Sequence, residues 1–339
     1  MAQPTFQETT RETSPGHRAF PQAFGRSGPL VEVRPDVACL PQPIVNVYFY
    51  GAPQAPSGSW VLMDAGLPLF GDRIVRAAAE RYGPDSRPAA IILTHGHFDH
   101  VGALPGLADR WGVPVYAHEL EIPYLTGGSS YPPPDPAVGG GAMSFLSRFY
   151  PRGPIDLRTR VRTLPADGTV PGMPGWRWLH TPGHTAGHVS LFRDSDRTLI
   201  AGDAFVTTKQ ESAVAALITK PQEVHRPPAY YTPDWQAARQ SVEKLALLRP
   251  EVAATGHGLP MAGEQLRQGL DELVDDWGLV ALPSYGRYVR RPAVIDERGV
   301  VSVPPPVFDP QLAAVAGIGI AALAGFGLLR WWSRSNRGA

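Results

Sequence analysis

The feature that most constrains this chain is a cluster of histidine and carboxylate side chains at the end of an apolar segment. Residues 89–94 (AAIILT) have the composition of a buried strand, and residues 95–100 (HGHFDH) follow directly. Because side chains alternate along a strand, His95 and His97 should project to the same side. A helix beginning near Asp99 would turn Asp99 and His100 toward a second position. Imidazole and carboxylate donors suit zinc, iron or manganese. One metal ion cannot easily use all four side chains, so the spacing indicates two metal sites.

Three further ligand-type residues follow a similar pattern later in the chain. They are His184 in the segment TPGHTAGH, Asp203 in AGDA and His257 in TGHG. Asp203 and His257 each follow an apolar segment with the character of a strand. All three lie beside glycine, which lets the backbone approach a site closely. The recurrence of strand, ligand and glycine indicates one site assembled from distant parts of the chain.

These motifs resemble those of the metallo-β-lactamase superfamily. HGHFDH is similar to that family's HxHxDH motif, and the later His, Asp and His follow in the same order, over about residues 30–265. TPGHTAGH and AGDAF resemble the glyoxalase II and lactonase-like branch most. The resemblance implies that His95, His97 and His184 bind a first metal ion, that Asp99, His100 and His257 bind a second, and that Asp203 bridges the two. It also implies that Asp64, in LMDAG, supports the ligand histidines from behind.

Strands and helices are predicted to alternate over residues 30–125 and 160–275, which suggests two α/β halves facing one another. The resemblance implies that they form a four-layer αββα sandwich, the metallo-β-lactamase fold, with a C-terminal appendix and a single apolar tail helix. We expect a disordered leader over 1–28, the hydrolase domain over 29–280, an appendix with a Pro-rich linker over 281–310, and a membrane anchor over 311–339.

The tail prediction depends on an uncharged run over residues 312–329 (LAAVAGIGIAALAGFGLL). As a helix it would be about 27 Å long, which just reaches the hydrocarbon thickness of a membrane. The alternative is a buried helix of the main domain, which its four glycines disfavour. We expect a membrane-anchored enzyme with its catalytic domain in the cytoplasm, although the arginines after the run favour the opposite orientation. The small residues Ala313, Gly317, Ala321 and Gly325 would offer a face for a homodimer.

The ligand set and the resemblance together predict a hydrolase with two Zn²⁺ ions, with Fe or Mn as possible substitutes. Metal ions of this kind activate water as a nucleophile and stabilise the oxyanion that forms on a carbonyl. We expect attack on an ester, thioester or lactone. Asp99 is the candidate catalytic residue that passes a proton to the leaving group, and a metal-bound water is the alternative donor. The alternatives are an iron-dependent oxygenase similar to persulfide dioxygenases, and a phosphodiesterase. The flavodiiron class is disfavoured because it has an acidic residue where His97 stands. A non-catalytic scaffold is disfavoured because the ligand set is intact.

Charge and loop composition narrow the range of substrate classes that we expect. The chain has 31 Lys and Arg against 31 Asp and Glu, so it lacks the basic balance expected of a nucleic-acid partner. Few basic residues lie near the ligand motifs, which favours a small-molecule acyl substrate over a phosphodiester. The Pro- and Gly-rich segment 126–141 and the segment 206–233 are candidate lids. Tyr230 and Tyr231 are candidate substrate contacts in the second lid, with Lys209 and Arg226 as weaker ones.

Overall fold

Two β-sheets form the centre of the molecule, for which a computed structural model describes residues 26–27 and 29–308. The first sheet has eight strands in chain order, β1 Arg26–Ser27, β2 Leu30–Arg34, β3 Val37–Pro41, β4 Asn46–Tyr50, β5 Val61–Met63, β6 Ala90–Ile92, β7 Val115–Ala117 and β8 Val161–Thr163. The second sheet has five, β9 Trp176–His180, β10 Val189–Arg193, β11 Thr198–Gly202, β12 Val252–Thr255 and β13 Met261–Ala262. A hairpin, β14 Val294–Asp296 and β15 Gly299–Ser302, follows them.

The helices connect and flank these strands. The α-helices are α1 Gly71–Tyr82, α2 Phe98–Val101, α3 Leu104–Trp111, α4 Ile122–Leu125, α5 Ala142–Leu146, α6 Trp235–Leu247, α7 Gly263–Asp275 and α8 Trp277–Val280. Single turns of 3-10 helix lie at Glu119–Glu121, Pro136–Val138, Ser147–Phe149, Arg158–Arg160 and Ala229–Tyr231, and a π-helical turn lies at Ala215–Thr219. Asp234 caps α6, its side chain accepting the backbone N–H groups of Gln236 and Ala237.

Strand direction decides where the functional residues lie. Strands β1 to β5 pair antiparallel, whereas β5, β6, β7 and β8 pair in parallel. In the second sheet β11 and β12 are parallel, and the other pairs are antiparallel. The carboxyl ends of neighbouring parallel strands meet at one edge of a sheet, where α/β proteins usually bind ligands. Segments leaving β5, β6, β7, β11 and β12 can therefore contribute side chains to a common region.

Alternation along the strands divides the apolar residues among three core clusters. Met63 and Ile92 of the first sheet share a central cluster with Ile200 of the second, which packs the sheets face to face. Leu62, one residue from Met63, faces the other way and shares a cluster with residues of α1 and α3. Leu199 of the second sheet also faces outward and shares a cluster with residues of α6 and α7. The order of layers is helix, sheet, sheet, helix.

Several expected elements differ from the structure. Residues 26–27, expected in a disordered leader, form β1 and pair with β2; the rest of the leader lies outside the described residues. Strands β2 and β3 were not predicted. β3 (VACLP) carries one branched residue of the kind that marks a strand, whereas β2 (LVEVR) does show the alternation of a strand, over five residues. The segment 126–141 was expected to hold no regular element and contains one 3-10 turn, Pro136–Val138.

The expectation of a membrane-anchored enzyme is corrected. Among the described residues, 26–27 and 29–308, no helix is long and apolar enough to cross a membrane. The longest, α6 and α7, have 13 residues each, or about 20 Å, against a hydrocarbon thickness of about 30 Å. The apolar run 312–329 and its small-residue face lie outside the described residues.

Candidate metal centre

The ends of the strands deliver the predicted ligand residues to one region. His95 and His97 follow β6, and α2, which begins at Phe98, carries Asp99 and His100. Asp203 follows β11, His257 follows β12, and His184 lies in the connection between β9 and β10. All seven side chains are buried, and Asp99 is the most exposed of them at 6%. The structure therefore brings together every residue that the sequence predicted as a ligand.

The seven side chains group in a way that suits more than one metal ion. In three groups the candidate ligand atoms all lie within 4.8 Å of one another: His95, His97 and His184; His95, His100 and Asp203; and Asp99, His100 and His257. The first and third groups share no residue, so each can hold its own ion. The second group contains one histidine of each and connects them through the carboxylate of Asp203.

Asp203 lies at the centre of this arrangement. Its Oδ2 atom is 2.9 Å from Nε2 of His257 and 3.3 Å from Nε2 of His184. Its Oδ1 atom is 3.6 Å from Nε2 of His100. Burial alone would raise the pKa of Asp203, but the imidazoles of His257 and His100 outweigh it and hold the pKa well below its usual range. An ionised carboxylate placed among three imidazoles is a suitable bridging ligand.

Two observations show that these residues fit metal ions. Nε2 of His95, Nε2 of His100 and Oδ1 of Asp203 are buried and have no hydrogen-bond partner among the described residues. Buried polar atoms normally have partners, so the three orphaned atoms leave room for an electrophilic partner. In addition, burial lowers the pKa of His95, of His97 and of His184, the last to about 3, so that these three rings are neutral. At His100 and His257 burial acts in the same direction, but the carboxylate of Asp203 outweighs it and raises their pKa. Neutral imidazole is the form that binds a metal ion.

Asp64 supports this centre from behind, in the position that the sequence predicted for it. Its Oδ2 atom is 2.8 Å from Nδ1 of His100, which leaves Nε2 of that ring pointing toward Asp203. The same carboxylate accepts the backbone N–H and the hydroxyl of Thr94, both at 2.8 Å. Asp64 has a positive φ of 60°, a conformation that aspartate tolerates better than most residues. The carboxylate thereby fixes the ring orientation of one ligand and the start of the segment that carries the others.

His188 positions the backbone of Asp203. Its Nε2 atom accepts the backbone N–H of Asp203 at 2.8 Å, and its Nδ1 atom lies 2.9 Å from the hydroxyl of Thr181. The glycines near this contact allow close packing: a Cβ on Gly202 would lie 2.6 Å from Nε2 of His188, and a Cβ on Gly256 would lie 2.0 Å from Oδ1 of Asp203. A larger residue at position 202 would displace His188, and one at position 256 would displace the carboxylate of Asp203.

Glu121 is a buried residue of the centre that the sequence did not reveal. It follows β7 and has no solvent exposure. Its Oε2 atom accepts the backbone N–H of Gly96 at 2.9 Å and the hydroxyl of Tyr131. Its Oε1 atom accepts from Thr185 Oγ1 at 2.7 Å and from the backbone N–H of Gly187 at 3.0 Å. One carboxylate therefore fastens the loop of His95 and His97 to the loop of His184.

Aromatic and proline side chains enclose a narrow pocket above His97 and His184. The described residues that line it besides those histidines are Tyr131, Pro132, Pro133, Thr185, Ala186, Tyr230, Tyr231, Pro233, Tyr288 and Ile295. The ring of Tyr231 stacks on His97, with centroids 4.4 Å apart. Both candidate lids, 126–141 and 206–233, contribute to this wall, and so does the appendix after residue 280. Tyr230 and Tyr231 thus lie where a substrate contact would be expected.

The charged residues near the pocket differ from those expected. Arg226 binds Glu211 at 3.3 Å and Lys209 binds Glu223 at 3.3 Å, and neither lines the pocket. Three other arginines, Arg148, Arg152 and Arg287, gather in a cavity that adjoins it at Pro133. They come from segments far from the ligand motifs, so a count of charges near those motifs could not have found them.

Comparison with known proteins assigns this fold and site to a family. The family model described as "Metallo-beta-lactamase superfamily" matches residues 40–257. A protein of Bacillus subtilis (strain 168) named "Probable metallo-hydrolase YflN" is 49% identical over 256 residues, which cover 76% of this chain and 96% of the relative. A second from the same organism, "Probable metallo-hydrolase YybB", is 28% identical, with 58% of this chain and 74% of the relative covered. The chain belongs to the metallo-β-lactamase superfamily.

A solved structure shows the same fold. A "Beta-lactamase domain protein from Burkholderia ambifaria" superposes with a TM-score of 0.50 and 21% sequence identity, covering 72% of this chain and 74% of that one. At this identity the similarity concerns the fold alone. The expected metallo-β-lactamase fold is thereby confirmed for the sheets and helices of the described residues.

Proposed function

We propose that this protein is a two-metal hydrolase that cleaves an ester, thioester or lactone, as in the glyoxalase II and lactonase-like branch of the superfamily. The observation that carries the proposal is the pair of ligand groups without a common residue, His95–His97–His184 and Asp99–His100–His257, connected through Asp203. The relatives named as metallo-hydrolases support the hydrolase class.

Two bound divalent metal ions, in our proposal Zn²⁺, would activate water at neutral pH and polarise the substrate carbonyl. The chain itself would orient the reactants. Asp64 and Glu121 hold the ligand loops through buried hydrogen bonds, which keeps the site preorganised. Asp99 is the ligand carboxylate with the largest exposure, and we assign it the transfer of a proton to the leaving group.

The pocket favours a small acyl substrate. Its wall consists mainly of tyrosine and proline side chains, which suit a partly apolar group held close to the metal ligands. The pocket is narrow, because Tyr131 and Tyr231 both lie against the ring of His97. A water-poor site of this shape strengthens the electrostatic stabilisation of a developing oxyanion.

The test combines metal analysis with a parallel screen. Purified protein should contain two zinc ions per chain, whereas one iron per chain would favour the oxygenase alternative. The zinc-loaded protein is then assayed with thioesters, aryl esters, lactones and a bis-aryl phosphate, with D203A as the inactive control. We expect the highest kcat/KM for a carbonyl substrate. A phosphodiester preferred by a factor of about ten, or about 1.4 kcal/mol, would overturn the proposal.

A further inference from the structure

A basic cavity lies beside the pocket that covers the metal centre. Arg148, Arg152 and Arg287 line it, together with Pro133, Pro134, Asp135, Pro136, Ala137, Pro306 and Val307. Arg148 and Arg152 lie in the connection between α5 and β8, and Arg287 precedes β14, so the fold brings two distant segments together. Of the described residues that line the cavity, Asp135 is the acidic one, and Arg152 and Arg287 are the two basic ones considered below.

Two of these guanidinium groups keep unused capacity for hydrogen bonds. Nη1 of Arg287 is buried and has no hydrogen-bond partner in the part of the chain that the structure describes. Arg152 is half-buried, and no side chain within residues 29–308 forms an ion pair with it. Arg148 differs, because its Nε donates to the backbone oxygen of Phe145 at 2.8 Å. A buried donor without a partner is unfavourable unless a ligand accepts its hydrogen bond.

The carboxylate of Asp135 does not neutralise this charge through an ion pair. Its Oδ1 atom accepts the backbone N–H of Ala137 at 3.3 Å, and its Oδ2 atom accepts the backbone N–H of Arg287 at 2.5 Å. Asp135 therefore fastens the main chain that carries Arg287. The guanidinium group of Arg287 lies 5.8 Å from the ring centroid of Tyr288, and its charge opposes the effect of burial on the pKa of both Tyr288 and Asp135. The acidic residue positions the basic one.

The basic cavity adjoins the pocket over the metal centre. Pro133 lines both, and Tyr288, against which Arg287 packs, lines the pocket and donates its hydroxyl to the backbone oxygen of Pro133 at 2.7 Å. Burial raises the pKa of Tyr231 and of Tyr288, and the positive charge of Arg152 acts in the opposite direction on both. The main chain also places Arg152 beside the pocket wall, because its backbone oxygen accepts the N–H of Tyr131 at 3.0 Å and that of the preceding Pro151 lies 3.5 Å from the hydroxyl of Tyr231.

We propose that Arg152 and Arg287 bind an anionic group, a carboxylate or a phosphate, at the end of the substrate that lies away from the scissile carbonyl. Guanidinium groups match the planar carboxylate and the phosphate oxygens through paired hydrogen bonds. The inference rests on the proposed function, because it assumes that a carbonyl is held over the metal ligands. It adds that the acyl substrate carries a negative charge, which the balanced composition of the chain does not indicate.

The experiment measures charge discrimination in the metal-loaded enzyme. Two aryl esters of equal chain length are compared, a neutral pentanoate and a hemiglutarate, in wild type, R152Q, R287Q and R287K. R158Q is the matched control, because Arg158 has a side chain 85% exposed and lines a different part of the surface. We expect wild type to prefer the hemiglutarate and R287Q or R152Q to reduce the ratio of the two kcat/KM values by about tenfold or more. R287K should give a ratio between those of wild type and R287Q, since lysine keeps the charge but not the paired hydrogen bonds.

A binding measurement separates this proposal from the proposed function. Titration calorimetry with glutarate and with inorganic phosphate is run on the same proteins, whose folding is checked by thermal unfolding. Binding of either anion that weakens in R152Q and R287Q but not in R158Q supports the subsite even if neither ester is hydrolysed, and the stronger of the two identifies the anionic group. Hydrolysis of both esters with an unchanged ratio in R152Q and R287Q overturns the subsite and leaves the hydrolase standing. Absence of binding of both anions by folded wild type also overturns it.

Discussion

The ligand residues and the pocket wall are built by different means. The seven predicted ligands follow strand ends or lie on α2, and charged and polar groups such as Asp64 and Glu121 hold them in place from behind. The wall comes from two long connections and from the segment after residue 280, and aromatic rings hold it together. Tyr131 stacks on Tyr124 with centroids 3.9 Å apart, and Tyr231 stacks on His97.

This difference separates two tasks within one site. Buried hydrogen bonds have strict geometry, so the ligand residues are held at fixed positions that the chemistry requires. Aromatic and proline packing tolerates more sequence variation, so substitutions in the wall can alter which substrate binds without moving the ligand residues. Substitutions among and behind the ligands should therefore lower metal content and kcat, whereas substitutions in the wall should act mainly on KM.

The largest effect is expected for Asp203→Ala. The substitution removes the carboxylate that approaches three imidazoles and leaves the first and third ligand groups unconnected. We expect the metal content to fall below two ions per chain and kcat to fall by a factor of about 10³ or more, about 4 kcal/mol. The far-ultraviolet circular dichroism should be retained. The control is D194A, since Asp194 has a side chain 66% exposed.

Full metal content and wild-type turnover in D203A would contradict the assignment of this residue as a bridging ligand. Treatment of wild type with a chelator sharpens the test. Removal of the ions should abolish activity and lower Tm, because ions that bind only the native state stabilise it by mass action. The same treatment should shift the Tm of D203A less.

An effect of about 10- to 100-fold is expected for Asp64→Asn. Asparagine tolerates the positive φ of this position, so the backbone conformation should persist. Its amide can replace only one carboxylate oxygen and presents a donor to Nδ1 of His100, which removes the preference for one orientation of that ring. Metal affinity, measured by competition with a chelator, and kcat/KM should fall together. D72N, at an exposed position in α1, is the control, and equal metal affinities in the two variants would exclude a supporting role for Asp64.

A smaller effect, about tenfold in kcat/KM, is expected for Glu121→Gln. The glutamine amide would place a donor against donors, because both carboxylate oxygens of Glu121 accept hydrogen bonds. Leaving one of these buried groups without a partner should also cost about 1–3 kcal/mol in the free energy of unfolding. The check is denaturant unfolding alongside kinetics. A variant with unchanged kcat/KM but lower stability would make Glu121 a purely structural residue.

These two supporting residues show what could be predicted from the sequence. Asp64 was found because it stands in a recognisable motif, whereas Glu121 stands in AHELE, which has none. Yet β5, β6 and β7 are parallel, and each is followed by a buried polar residue of the centre: Asp64, His95 and Glu121. A search for carboxylates after successive parallel strands would have found Glu119 and Glu121, and only the structure shows that Glu121 is the buried one.

The wall and the basic cavity could not have been predicted in the same way. Their residues stand in connections whose paths depend on packing, such as the contact of Tyr288 with Pro133 across 155 positions of sequence. No periodicity or local motif encodes contacts of that separation. The ligands escape this limit because strand order fixes where strand ends meet. The two α/β halves were predicted from the alternation of strands and helices, whereas the four layers were implied by the resemblance to the family.

The smallest effect is expected in the wall, for Tyr231→Leu. Leucine keeps an apolar surface but loses the ring that stacks on His97 at 4.4 Å and the hydroxyl, which lies 3.5 Å from the backbone oxygen of Pro151. We expect KM for the best ester substrate to rise by about fivefold, or about 1 kcal/mol, with kcat changed less than twofold. Y231F is the matched control: it keeps the ring and removes only a long hydrogen bond, so its KM should stay near that of wild type. If Y231L instead lowers kcat and the metal content together, Tyr231 holds His97 in position as a ligand, and the division between ligand residues and wall fails at this residue.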